Sequence, residues 1–248
     1  MSSPSLVPQN WEVPQVFRKR LGTSYGRQRT MEADGHVLLV VHLPPEPDEK
    51  GRRGRLLWRN PQGEWRSSDS GSGLVAVRGH LKQYSDRIDE FEKAEEAATT
   101  ADAYLPLLEG LAPLARSVRN LEQVMQEARK LAPEDRNLID FRDQAYELSR
   151  NTELLYTDTR NGMEIAVIRR AEQQARAAEA SAIAANRFNL LVAFFFPIGM
   201  MAGVFGVNLQ NGFEEVPPPW PVVTLIVAGI IFGSILAVHI NFISKAKD

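Results

Sequence analysis

The chain has no cysteine, which excludes disulfides and thiolate metal sites. Histidine is scarce: His36, His42, His80 and His239 are scattered along 248 residues, with no nucleophile or metal-ligand cluster around them. No glycine-rich phosphate loop of the P-loop pattern is present. An enzyme is therefore not expected, and no cofactor is implied. Charge of one sign is also lacking. A net charge of -2 with 24% charged residues gives no electrostatic reason to expect a nucleic-acid partner. Met1 to Trp11 contains no apolar run, so no cleavable signal peptide is expected.

What the chain does have is unevenly spread. Almost all charge precedes Arg187, and the long apolar runs lie after it. Phe188 to Val207 is a 20-residue stretch whose only clearly polar residue is Asn189. Val222 to Ile243 is 22 residues long, interrupted only by Thr224, Ser234, His239 and Asn241. As helices these would reach roughly 30 and 33 Å, the thickness of a bilayer's hydrocarbon core. Helices apolar on every side need a lipid-like surround. Arg169, Arg170, Arg176 and Arg187 precede the first run, and Lys245 and Lys247 follow the second, while Asn208 to Pro221 has no Lys or Arg. The positive-inside rule then places both termini in the cytoplasm and the connecting loop outside, as a multi-pass protein of the cytoplasmic (inner) membrane.

The rest reads as an α+β cytoplasmic part. Residues 1 to 35 are polar and irregular. His36 to Leu43 (HVLLVVHL) is a buried strand ended by Pro44-Pro45. Leu56 to Trp58, a turn at Asn60 to Gly63, and Glu64 to Arg66 read as a small antiparallel unit with Trp58 and Trp65 packed near each other. Ser67 to Gly73 is a linker or turn. From Leu74 the period becomes helical. One stripe runs Leu74, Val77, Leu81, Tyr84, Ile88, Phe91, and a second Leu107, Leu111, Leu114, Val118, Leu121, Met125, Ala128. Pro106 and Pro113 are expected to break or kink the start of the second. After a helix-start signal at Pro133-Glu134-Asp135 the third stripe follows: Leu138, Phe141, Ala145, Leu148, Thr152, Leu155. Only Asn161-Gly162 weakens this helix before the membrane. Three heptad-like helices suggest a stalk that packs against copies of itself. Ala171 to Ala185, rich in small residues, would let several helices approach closely, although alanine also simply favours helix. The expected division is 1–73, a partly β region; 74–187, the helical stalk; 188–207, the first span; 208–221, the outer loop; 222–243, the second span; and 244–248, a tail.

Two helices cannot enclose an aqueous path, so any pore must come from several chains. The first span has the features for lining one. Pro197 introduces a bend, Gly199 and Gly203 give a close-approach face, and the span ends in Phe205-Gly206-Val207-Asn208. An asparagine there would present a ring of amide carbonyls to a hydrated cation. The run Pro197 to Asn208, followed by a short loop, a second span and a short basic tail, resembles the CorA family of divalent-cation transporters. That family ends its first span with aromatic-Gly-Met-Asn, preceded by Pro and Ala-Gly at the spacings found here. The resemblance covers about residues 180 to 248; the N-terminal section is shorter than usual for the family and is not matched by motif.

The resemblance implies that five copies surround one pore lined by the first span, with Gly206 and Asn208 as the outer selectivity mouth and Phe205 bracing it. The family's apolar constriction would correspond to Phe188 and Phe196. Mg²⁺, which dehydrates reluctantly, suits neutral Asn oxygens. The family's Met is Val207 here, a position that varies in zinc-transporting relatives, so Zn²⁺ and its neighbours Co²⁺ and Ni²⁺ stay open. Glu214 and Glu215 in the outer loop would concentrate cations at the mouth, or are ordinary solvated charges. Glu147, Asp158 and Glu164 are the candidates for the family's interchain metal-sensing sites, against a solvated helix face as the alternative. The expected partners are further copies of the chain, the lipid bilayer and divalent cations. The alternatives to a transporter are a membrane-anchored coiled-coil interaction or signalling protein, or a transport-defective regulatory relative.

Overall fold

A computed structural model describes residues 6–46, 51–69, 73–206, 215–217 and 219–245. The chain divides into two compact units, Met1–Arg169 and Arg170–Asp248. In the first, a short helix α1 (Gln15–Arg20) precedes four strands: β1 (Arg29–Ala33), β2 (His36–His42), β3 (Gly54–Arg59) and β4 (Trp65–Ser67). They form one antiparallel meander in the order β1-β2-β3-β4. Asp34 and Gly35, with φ of 52° and 76°, make the two-residue turn between β1 and β2, the left-handed pair such a hairpin requires. Asn60 closes the β3–β4 turn, its backbone N–H donating to the Glu64 carbonyl at 2.9 Å and its side-chain oxygen accepting from the Glu64 N–H at 2.8 Å.

β2 is central and buried on both faces, the physical reason for its unbroken apolar run. Val37, Leu39 and Val41, with Leu57 and Trp65, face the helices. Leu38 and Val40, with Met31, Leu56 and Trp58, meet Val7, Trp11, Phe17 and Leu21 of the N-terminal segment. The Arg18 guanidinium holds that segment in shape by donating to the carbonyls of Val7, Pro8 and Trp11 at 3.0, 2.9 and 2.9 Å. Residues 1 to 35 are thus not simply irregular: they include α1 and β1 and supply the second cover of the sheet. The two tryptophans also lie apart. Trp65 pairs in register with Arg59, and Trp58 with Arg66, so side-chain alternation sends them to opposite faces. Trp58 packs with Trp11 and donates to His36 Nδ1 at 3.1 Å.

Helices α2 (Leu74–Ala97), α3 (Ala101–Leu131) and the first part of α4 (Asn137–Gly206) carry the expected stripes, and these meet in one core with the sheet. The strands before Gly73 and the helices after it therefore share that core. The stripes expected to pack against other copies are occupied inside the chain. Pro106 and Pro113 do not break α3. Each costs a helix about 3 kcal/mol, but Leu111, Leu114, Val118 and Leu121 are fully buried, at about 1.5–3 kcal/mol each, and hold the helix against the sheet and α2. Asn161-Gly162 does not interrupt α4 either. The absent side chain at Gly162 leaves room for the Tyr104 ring, whose Cζ would lie 2.7 Å from a Cβ there.

Two buried polar clusters pin the helices to the sheet. The Asp135 carboxylate, in the turn before α4, accepts from Arg59 Nε at 2.9 Å, Trp65 Nε1 at 3.4 Å and the Asn137 backbone and side chain at 3.0 and 3.1 Å. Burial raises its pKa, but these bonds outweigh burial and the net shift is downward. In the second cluster Arg55 donates to both Asp69 oxygens at 2.8 and 2.9 Å and to His80 Nδ1 at 3.1 Å. His80 is fully buried and its pKa falls to about 3, through desolvation first and then the adjacent Arg55. Beside it Gln28 donates to the Ser117 carbonyl, and the Tyr84 hydroxyl donates to the His42 carbonyl at 2.9 Å.

Asp135→Asn leaves the buried Arg59 guanidinium with only the exposed Glu134 carboxylate, 3.4 Å away, as counter-charge, whereas the Arg59 and Asp135 side chains are both under 10% exposed (9% and 6%). A loss of about 3–5 kcal/mol in denaturant unfolding followed by tryptophan fluorescence is expected. His80 is neutral when folded, whereas an unfolded histidine takes a proton below about pH 6.5. Its contribution is complete above that pH and is lost at about 1.4 kcal/mol per pH unit as pH falls towards 3. His80→Gln should flatten the pH dependence of unfolding between pH 6 and 4, measured by the same fluorescence signal.

Candidate functional site

The second unit contains the end of α4 and helix α5 (Trp220–Lys245). Both are long and apolar enough to cross a membrane. Only 6% of the most apolar stretch of α4 and 11% of that of α5 is buried, so the chain itself supplies almost no cover for them. α5 is two residues longer at each end than the run expected at 222–243. Trp220 and Pro221 open it, with proline tolerated in a first turn.

Small residues on α5 decide how it meets α4. A Cβ on Gly233 would lie 2.7 Å from the Phe194 carbonyl oxygen and 3.2 Å from its Cα. One on Gly229 would lie 2.6 Å from Ile198 Cγ1 and 3.4 Å from its Cα and Cβ. The helices thus approach to near backbone contact at two points one turn apart on each. The α4 side of this contact is the row of covered or half-covered positions Leu190, Ala193, Phe194, Pro197, Ile198 and Met201. Pro197 belongs to it. The close approach expected at Gly199 and Gly203 is absent within the chain, since nothing lies within 4 Å of a Cβ at either. The glycines that do this are Gly229 and Gly233, whose i, i+4 spacing in an apolar run is the same as that of Gly199 and Gly203.

The opposite side of α4 is open. Phe188, Val192, Phe196, Gly199 and Gly203 follow one another at steps of 4, 4, 3 and 4 residues and so share one face. All five are exposed, Phe188 at 65% and Phe196 at 64%. Gly206, seven residues after Gly199, continues this face by position and is the last residue of the helix. The Phe205 side chain lies outside those described. Val207, Asn208, Glu214 and Lys247 lie outside the described residues. Glu215 is exposed. The structure therefore brings Phe188, Phe196, Gly199 and Gly203 onto one surface and leaves Glu215 exposed.

Glu147, Asp158 and Glu164 are all exposed on α4. Glu147 and Asp158, eleven residues apart, share a face three turns apart, with Leu154 and Ile165 exposed on the same side. Glu164 points elsewhere and accepts from Arg160 at 3.2 Å. Among the described residues no group of three acidic or histidine side chains is placed to hold a metal.

No protein-family model and no curated protein matches the chain by sequence. Solved structures do. The ZntB cytoplasmic domain from Vibrio parahaemolyticus RIMD 2210633 superposes with a TM-score of 0.52 at 11% identity, over 65% of this chain and 80% of that one. The full-length CmaX protein superposes with a TM-score of 0.53 at 11% identity, over 92% of this chain and 80% of that one. The fold is shared with these two proteins. The CorA magnesium transporter from Methanocaldococcus jannaschii aligns over 86% of this chain and 78% of its own at 12% identity, but with a TM-score of 0.39, too loose to carry weight. The α+β part, the long helix and the apolar C-terminal helix expected from sequence are all present.

The absence of cysteine makes the α4–α5 contact directly testable. Ile198→Cys with Gly229→Cys would place the two Cβ atoms about 3.4 Å apart, near the separation a disulfide uses. Mild oxidation of this double variant should give an intrachain disulfide, detected by intact mass with and without reductant. Gly199→Cys with Gly229→Cys should give none within a chain.

Proposed function

We propose that the chain is one subunit of a homopentameric channel or transporter that moves divalent metal cations across the cytoplasmic membrane, with Mg²⁺ as first candidate and Zn²⁺, Co²⁺ and Ni²⁺ behind it. The observation that carries this reading is the open face of α4. A helix that only anchors a protein has no need of a face of two phenylalanines and three glycines opposite its own partner helix. Packed around an axis, that face would give an apolar constriction at Phe188 and Phe196. Above it the pathway would be narrow-walled at Gly199, Gly203 and Gly206, ending at Asn208.

The two largely uncovered apolar helices support a membrane location, with both termini cytoplasmic as the arginine distribution implies. The shared fold with the ZntB domain and CmaX supports the arrangement of the chain, and the Phe-Gly-Val-Asn terminus supports the family resemblance. Glu214 and Glu215 would raise the local cation concentration at the mouth. The membrane potential supplies about 4.6 kcal/mol per divalent ion per 100 mV, enough to drive inward accumulation without nucleotide hydrolysis. Sensing of internal metal would fall to Glu147 and Asp158, which share a face, rather than to Glu164, which has Arg160 as partner.

Purified protein reconstituted in liposomes should take up at least one of Mg²⁺, Zn²⁺, Co²⁺ and Ni²⁺, and Asn208→Ala should reduce the rate or change the ion preference. Uptake of none, or uptake indifferent to that substitution, removes the pore assignment. Mass measurement in detergent should return five copies; a monomer excludes a shared axial path.

A further inference from the structure

A second concave site lies in the first unit, independent of the transport reading. Where β2 ends and β3 begins, the sheet, α2 and α3 line an open cavity of about 740 Å³. Such a volume lies within the roughly 300–1,000 Å³ typical of small-molecule sites. Its described lining includes four guanidinium groups, Arg52, Arg53, Arg87 and Arg116, against the carboxylates of Glu46 and Glu109. Glu46 is engaged by Arg53. His42, also on the wall, has its pKa lowered by burial and is neutral near pH 7.

Arg87 is held in advance of any ligand. Its guanidinium carbon lies 4.7 Å from the centre of the Phe91 ring. That ring in turn lies against α3 at Gly110, where a Cβ would come within 2.5 Å of Phe91 Cζ. The stack from Gly110 through Phe91 to Arg87 therefore depends on a missing side chain on α3. One Nη of Arg87 pairs with Glu90, while its Nε is buried with no hydrogen-bond acceptor. A guanidinium fixed in this way, at the wall of a cavity with two further arginines, Arg52 and Arg116, suits an anion with several oxygens. Phosphate meets guanidinium through paired charge-assisted bonds.

We propose that this cavity binds a small phosphate-bearing anion, with Arg87 as its preset contact and Arg52 and Arg116 as further contacts at the rim. The site does not depend on the membrane helices, so it stands or falls separately from the pore. The test is isothermal titration of the full-length protein in detergent with pyrophosphate and, separately, ATP, both in EDTA so that no divalent ion bridges them. Saturable binding of one equivalent per chain is expected. Arg87→Gln should weaken it about tenfold or more. Arg116→Gln, at an exposed position that the fold does not need, should weaken it by a smaller factor, and Arg160→Gln should leave it unchanged. Tighter binding of ATP than of pyrophosphate would assign a nucleotide, and equal binding the phosphates alone. No saturable binding of either probe, or equal binding by wild type, Arg87→Gln and Arg116→Gln, overturns the proposal.

Discussion

A strand buried on both faces needs two covers, and the first unit is organised by that requirement on β2. Its five consecutive residues from Val37 to Val41 have essentially no exposed surface. One cover is the helical layer, which α3 joins to the sheet through the Thr30 hydroxyl on the Val124 carbonyl and Gln28 on Ser117. The other is the N-terminal segment, too short to form a layer of secondary structure and instead tied by Arg18. Removing either cover would expose a row of leucine and valine on a sheet that would then present an apolar surface for aggregation.

Inside this frame, polar groups appear where elements must be fixed in angle rather than merely brought together. Arg59 and Asp135 join β3 to the start of α4, and Arg55, Asp69 and His80 join β3 to α2. Apolar contact is tolerant of sliding, whereas a carboxylate accepting from three side chains is not. The uncharged form of His80 belongs to the same logic. With Arg55 donating to its Nδ1, a second positive charge there would have no acceptor.

The helices were legible in the sequence because their stripes are long and their period is regular, down to Thr152 among the buried positions of α4. Pro106 and Pro113 do not break α3 because local backbone preference is small beside the burial of a run of leucines on the same helix. The N-terminal strand was illegible as an apolar pattern, Arg29 to Ala33 being mostly polar, and the Asp34-Gly35 turn that could have marked its hairpin went unread. The tryptophan pair was misjudged because register, not proximity in sequence, sets which face a side chain takes. At the two long apolar helices, the sequence pointed to glycines on α4, and the reading of that face as open needed coordinates. Which glycines touch a neighbour depends on the rotation of two helices about their axes, and apolar composition on every side carries no signal of rotation.

The division of labour between the two glycine pairs has a kinetic meaning. Contact at Gly229 and Gly233 closes within one chain, so its rate is independent of how many copies are present. The face of Gly199 and Gly203 takes no part in that closure among the described residues. The hairpin can therefore form in a single copy of the chain, before any partner is met.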